Sequence, residues 1–187
     1  MIHPYIPYAP STQSKNIGWA CNQFMQMLPP NDWACFIDHD ALFTTSTWYK
    51  LLESVAAKAD RNNIGMYTAC TNRVGNPEQI VFPKDSPEAQ NHDFRFHRKI
   101  GQQRSLTFGE SFRIAKRPLS GIVMLLSREV WSLTSGFKNG FLGVDNDIDF
   151  KIRQLGYQTA ILDGLYMYHW YRADAQQNDL RPIGYPI

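Results

Sequence analysis

An unbroken apolar run, Trp33-Ala34-Cys35-Phe36-Ile37, lies between a Pro29-Pro30 stop and the polar triplet Asp38-His39-Asp40. The run is strand-sized, and no polar residue alternates through it, so a strand here must be covered on both faces. That requirement constrains the chain to a sheet with helices packed on either side. The flanking sequence supplies them. Ile17, Ala20, Cys21, Phe24 and Leu28 recur at helical spacing before the prolines. Trp48, Leu51, Leu52, Val55 and Ala59 form a second apolar stripe, with Thr45 or Ser46 as its cap.

Ile64 to Cys70, Gln79 to Phe82, Gly121 to Leu126, Gln158 to Leu162 and Leu165 to Tyr171 read as further strands. Ile2 to Tyr8, broken by Pro4 and Pro7, suits a short edge strand. Ser127 heads a short helix with Val130 and Trp131 inside, and Asp145 to Leu155 is a helix with Ile148, Ile152 and Leu155 inward, closed by Gly156. Strands alternating with helices predict an α/β fold with a mainly parallel sheet flanked by helices. From Pro83 to Pro118 the periodicity fails.

At 187 residues the chain is expected to form a single domain over residues 1–187, one able to bury roughly 70% of its unfolded surface. A hydrophobic fraction of 43% excludes disorder, and a net charge of +2 gives no ground for a nucleic-acid partner. Cys21, Cys35 and Cys70 sit in apolar surroundings and read as buried thiols of a reducing compartment. Met1 to Tyr5 lacks the basic-then-apolar pattern of a signal peptide, so the expected location is cytoplasmic. No stretch approaches about 18 apolar residues, so no transmembrane segment is expected.

Asp38 and Asp40, two residues apart at a strand end, point to the same side and offer hard oxygen donors suited to Mg²⁺ or Mn²⁺ against a phosphate. In open α/β sheets, ligands gather at the carboxyl ends of the strands. The triplet also reads as a polar turn capping the next helix, with His39 as a local hydrogen-bonding residue. A second acidic cluster, Gly143-Val144-Asp145-Asn146-Asp147-Ile148-Asp149-Phe150, follows far down the chain. Asp145 and Asp149 there suit plain complements to the helix dipole as well. His169 alternates onto one strand face with Met167 and Tyr171, either as a ligand or as a histidine satisfied by a backbone carbonyl. Gly121, after Ser120, marks a close backbone approach or a tight strand entrance. Asn16 reads as a helix cap.

Taken in order, Phe36 to Asp40, Pro118 to Met124, Gly136-Phe137 through Arg153, and Tyr168-His169 resemble the GT-A glycosyltransferases, most closely the inverting family 2. The resemblance runs over residues 15 to 172 and includes Lys15-Asn16-Ile17-Gly18, similar to the family's segment at a helix start. It implies a GT-A fold and a metal-dependent transfer of sugar, with inversion, from a nucleotide-sugar donor to an acceptor hydroxyl. Asp38, Asp40 and His169 would hold Mn²⁺ or Mg²⁺, the imidazole favouring manganese. Asn16, Asp38, Ser120 and Gly121 would meet the donor, a UDP- or GDP-sugar, and the acceptor would be a glycan or another hydroxyl. Asp147 would be the catalytic base, because Asp147 and Arg153 keep the family's Asp-to-Arg spacing. The family's Glu is replaced by Asn146, which leaves Asp145 as a rival base.

The family carries two strands ahead of this point that cradle the nucleotide base, where this chain has only Ile2 to Tyr8. That departure motivates an alternative: a catalytically silent nucleotide-sugar or glycan-binding module on the same scaffold. A metal-dependent nucleotidyltransferase is a further one. His92 to Arg117 carries seven Lys or Arg against two acids, interleaved with phenylalanines, and residues 92–117 are expected to act as a mobile lid.

Overall fold

Residues 1–170 are described by a computed structural model of the chain. In chain order the elements are β1 (Ile2–Tyr5), α1 (Ile17–Met27), β2 (Trp33–Ile37), β3 (Ala41–Phe43), α2 (Trp48–Ala56), α3 (Ala59–Asn62), β4 (Ile64–Thr71), α4 (Phe94–Phe108), β5 (Phe112–Ile114), β6 (Val123–Ser127), α5 (Arg128–Leu133), α6 (Val144–Gln154) and β7 (Gln158–His169). The strands form one sheet of order β1-β2-β6-β4-β7-β3, with β5 also paired to β7. β1, β2, β4 and β7 run one way, and β3, β5 and β6 the other. The result is a mixed sheet in a single α/β domain.

Period-two alternation divides the core between the two faces of the sheet. Ala34 and Phe36 of β2, with Met124 and Leu126 of β6, meet Cys21 and Met25 of α1, Trp131 of α5, and Ile148 and Ile152 of α6. Cys35, Val123 and Leu125 face the other way, onto Leu52 and Val55 of α2. The apolar run Trp33–Ile37 is thus covered on both sides. β1 is an edge strand, but a poor template for further pairing: Pro4 has no N–H, and the Ile2 carbonyl accepts a hydrogen bond from Tyr49 Oη at 3.0 Å.

Three segments differ from expectation. The aperiodic stretch contains α4, a 15-residue helix capped by Asp93, whose side chain accepts from Arg95 N. Its buried positions are Phe94, His97 and Gly101, so the inward stripe exists but is carried largely by residues that are not apolar. Residues 79–82 are no strand. Pro77–Gln79 forms a 3-10 turn, followed by a lone bridge from Ile80 to Thr71. The last two expected strands are one, β7, whose pairing with β4 jumps from Leu162 to Tyr166 at an irregularity. Tyr171 lies outside the described residues.

Candidate functional site

Four chain segments meet at one end of the sheet. Beyond β2, Asp38 N donates to Ile122 O at 3.0 Å, just ahead of β6. A turn closed by Ala41 N donating to Asp38 O, at 3.1 Å, then returns the chain into β3. Ala41 pairs with His169, and Trp170 N donates to Asp40 O at 2.9 Å, which brings the end of β7 against the same turn. The sheet thereby joins residues 38 and 40 to residue 169, far away in sequence.

His169 Nε2 lies 3.1 Å from Asp40 Oδ1 and 3.8 Å from Asp38 Oδ2. Its Nδ1 is 2.8 Å from the Arg73 carbonyl oxygen. A carbonyl can only accept, so Nδ1 carries the hydrogen, and Nε2 points at the carboxylates, as a donor to Asp40 Oδ1 when it carries a hydrogen too and as a lone pair for a cation when it does not. Metal-bound histidines often place their second ring nitrogen on a carbonyl in this way, and a histidine satisfied by a backbone carbonyl alone has the same geometry. Buried Asn72 holds the same residue by its backbone: Oδ1 accepts from His169 N at 2.8 Å, and Nδ2 donates to His169 O at 3.2 Å.

Burial, and then the neighbouring Asp40 charge, push the Asp38 carboxyl above its ordinary range. For Asp40 burial acts in the same direction, but the hydrogen bond and charge of His169 outweigh it and hold the carboxyl low. A cation beside the pair would offset the Asp40 charge that disfavours ionised Asp38. Donor atoms of Asp38, His39 and Asp40 lie within 4.8 Å of one another. Two carboxylates with an oriented imidazole suit a divalent ion of the hard to borderline kind.

The turn opens into a cleft of about 740 Å³, within the usual size range of ligand sites. Asp38, His39, Asp40 and His169 line it together with Ser120, Gly121 and Asp145. Ile6, Tyr8, Phe141 and Leu142 also border it as exposed apolar side chains. No residue of 92–117 does, so the expected lid segment forms none of the cleft wall; α4 packs on β7 instead.

Asp145 stands in the first turn of α6, and its Oδ2 accepts from Gly121 N at 2.8 Å. A Cβ at residue 121 would sit 2.9 Å from the Asp145 Cβ, so the glycine is required for this approach. Ser120 is locked by Gln79, whose Oε1 accepts from Ser120 N at 2.8 Å and whose Nε2 donates to Ser120 O at 3.1 Å. Asn76 N donates to Ser120 Oγ at 3.1 Å. Gln79, fully buried, is a supporting residue that sequence reasoning missed. The signal was a glutamine at the head of an otherwise apolar stretch, Gln79 to Phe82.

Asp147 is placed differently from Asp145. It does not line the cleft; its Oδ2 pairs with Lys151 Nζ at 2.8 Å and accepts from Lys138 N at 3.2 Å. On a helix of 3.6 residues per turn, positions two apart point about 200° away from each other, so only one of Asp145 and Asp147 can face the cleft. Arg153, whose spacing had favoured Asp147, pairs with Asp149 at 2.8 Å and also donates to the carbonyls of Ala115 and Arg117. Asp149 is fully buried, so it anchors this network rather than complementing the helix dipole from the surface. Asn16 is also away from the cleft. It caps α1 by accepting from Trp19 N at 3.0 Å and accepts from Gly140 N at 2.8 Å, which fastens the loop that carries Phe141 and Leu142.

No model of a known protein family matches the chain, and no curated protein matches it. Among the described residues, no helix is long and apolar enough to cross a membrane.

Proposed function

We propose that this chain is a metal-dependent glycosyltransferase of GT-A architecture, moving a sugar with inversion from a UDP- or GDP-sugar to the hydroxyl of a glycan or other acceptor. One observation carries the reading. In a single cleft, Asp38, Asp40 and His169 bring together donor atoms that could hold a cation, and Asp145, with no ion-pair partner among the described residues, faces the same space. A strand ending in paired carboxylates, a glycine segment, an acidic helix start and a late histidine meeting at the carboxyl ends of strands support the GT-A assignment.

A divalent cation held by Asp38, Asp40 and His169 would supply neutralisation of the charge that develops on the departing diphosphate. The remaining work falls to the chain. Asp145 accepts the proton of the acceptor hydroxyl while the hydroxyl oxygen bonds to the anomeric carbon. The bond from that carbon to the diphosphate oxygen breaks on the opposite face, its electron pair leaving with the nucleotide, so the sugar inverts. Asp145 Oδ2 is steadied by Gly121 N and Oδ1 by Asn146 N at 2.9 Å, and a carboxylate with two such bonds keeps lone pairs for the proton. The Ser120-Gly121 backbone, pinned by Gln79 and Asn76, offers a fixed floor for the sugar.

The test is turnover of UDP-, GDP-, CMP- and dTDP-sugars with Mn²⁺, measured before and after chelation. Metal-dependent release of nucleoside diphosphate, raised by an acceptor, is the expected result. Tight binding without turnover would instead identify the silent binding module, and no binding of any donor would sink the proposal.

A further inference from the structure

We infer that the acceptor of this cleft is an uncharged amphiphile, a hydroxyl compound bearing an alkyl or aromatic group. Its apolar part lies on Phe141, Leu142, Ile6 and Tyr8 while its hydroxyl meets Asp145. The inference rests on the glycosyltransfer reading and narrows the acceptor class. Exposed apolar side chains are ordinary when scattered singly, but these four gather at one cleft, where a ligand can cover them. Phe141 is 54% and Leu142 76% exposed, and Ile6 and Tyr8 reach the same cleft from the segment after β1.

The loop ahead of α6 is fastened so that this pair stays outward. Lys151 Nζ donates to Gly136 O at 2.8 Å, and Asn22 holds both backbone polar groups of Phe137, each at 2.8 Å. Lys138 N donates to Asp147 Oδ2 at 3.2 Å. Gly140 O accepts from Gly18 N at 3.2 Å, and Gly140 N donates to Asn16 Oδ1 at 2.8 Å. Phe137 enters the core, whereas Phe141 and Leu142 follow the last of these anchors and remain exposed. Asp145 comes three residues after Leu142, in the first turn of α6, so a hydroxyl held at Asp145 puts the rest of its molecule within reach of the pair. Among the described residues the lining carries the carboxylates of Asp38, Asp40 and Asp145 and no lysine or arginine, so an anionic acceptor gains no ion pair from it. A long glycan would press its hydroxyls on hydrocarbon that cannot bond them. An alkyl or aromatic group loses nothing polar there and removes apolar surface from water on both sides.

The experiment measures, by calorimetry with Mn²⁺ present, the binding of methyl, butyl, hexyl and octyl β-D-glucoside, each below its micelle-forming concentration. The four share one sugar, so differences report the apolar part alone. Affinity should rise about two- to fourfold for each methylene laid on the rim, the range running from partial to full burial. Phe141→Ser combined with Leu142→Ser should weaken octyl glucoside at least about tenfold and leave methyl glucoside unchanged. Tyr8→Ser, on a different segment, should weaken octyl glucoside about threefold. These side chains are exposed, so the variants keep the fold, checked by an unchanged thermal midpoint. Met27→Ser, at the end of α1 and outside the cleft, removes another exposed apolar side chain and should change none of the four affinities. No binding of octyl glucoside, equal affinity for all four, or octyl binding untouched by the rim variants or weakened as much by Met27→Ser overturns the inference. Turnover of a nucleotide sugar, measured separately, would keep the transfer reading through any of those results. Octyl glucoside held on the rim of a protein that turns over no nucleotide sugar would overturn the acceptor role together with that reading.

Discussion

Replacing Asp145 and Asp147 in turn by asparagine separates the proposed base from its neighbour in one experiment. Asp145→Asn keeps one side-chain oxygen to accept from Gly121 N and gives up the bond from Asn146 N, so the approach of Gly121 is retained while the group that takes the proton is lost. General bases contribute about 10²- to 10⁴-fold, which corresponds to about 2.7 to 5.5 kcal/mol on the barrier. Asp147→Asn removes an i,i+4 pair with Lys151 in which both side chains are about a quarter exposed. Pairs of that kind stabilise a helix by about 0.3 to 0.5 kcal/mol, a shift of roughly one or two degrees in Tm for a domain of this size. The expected pattern is therefore a near-dead Asp145→Asn with unchanged donor and metal isotherms, beside an Asp147→Asn variant within about threefold of the natural rate. Initial rates with a turned-over nucleotide sugar and Mn²⁺, paired with calorimetry of donor binding, provide the assay. A dead Asp147→Asn and an active Asp145→Asn would refute the orientation argument for α6. Normal rates in both would refute the inverting-base mechanism.

Asp40→Ala should abolish the metal-dependent part of nucleoside diphosphate binding, and His169→Ala should weaken Mn²⁺ affinity by about 10- to 100-fold; identical isotherms for natural and variant proteins would count decisively against the ligand set. Asp149→Asn should destabilise the fold without touching ligand binding. Its carboxylate is fully buried, whereas Arg153 is partly exposed and keeps its bonds to Ala115 O, Arg117 O and Thr159 Oγ1, so the cost is about 2 to 3 kcal/mol rather than the full penalty of a broken buried pair. Thermal melts should show a Tm lower by roughly 4 to 12 °C, and a loss under one degree would rule that out. Burial, foremost, holds the His97 pKa below its ordinary value of 6.5. The unfolded chain then binds the proton more readily, so stability should fall as pH drops below about 6.5 and keep falling until the folded-state pKa is passed. Urea unfolding at several pH values should show a shallower acid slope for His97→Gln, and equal slopes would remove His97 as the cause.

Much of this protein is determined locally, and those parts are legible in the sequence. Trp33 to Ile37 makes a strand covered on both faces because nothing in the run tolerates water. Ile17 to Leu28 and Trp48 to Val55 make helices because their apolar residues fall on one side, and Asp38 and Asp40 stand at a strand end because the apolar run stops there. α4 was hidden because its inward positions include His97 and Gly101, which become core residues only against β7, where Tyr166 Oη lies 2.7 Å from His97 Nδ1. The candidate site divides along the same line. The sequence supplies the carboxylates, the glycine and the late histidine, but not which way each of them points. That Asp145 rather than Asp147 faces the cleft depends on the rotational setting of α6, fixed by Val144, Ile148 and Ile152 entering the core. That Arg153 serves Asp149 depends on β7 bringing Thr159 within reach. That His169 presents Nε2 to the carboxylates depends on the Arg73 carbonyl, 96 residues away in sequence. Side-chain direction is set by packing between elements distant in the chain, and residue spacing carries no record of those contacts.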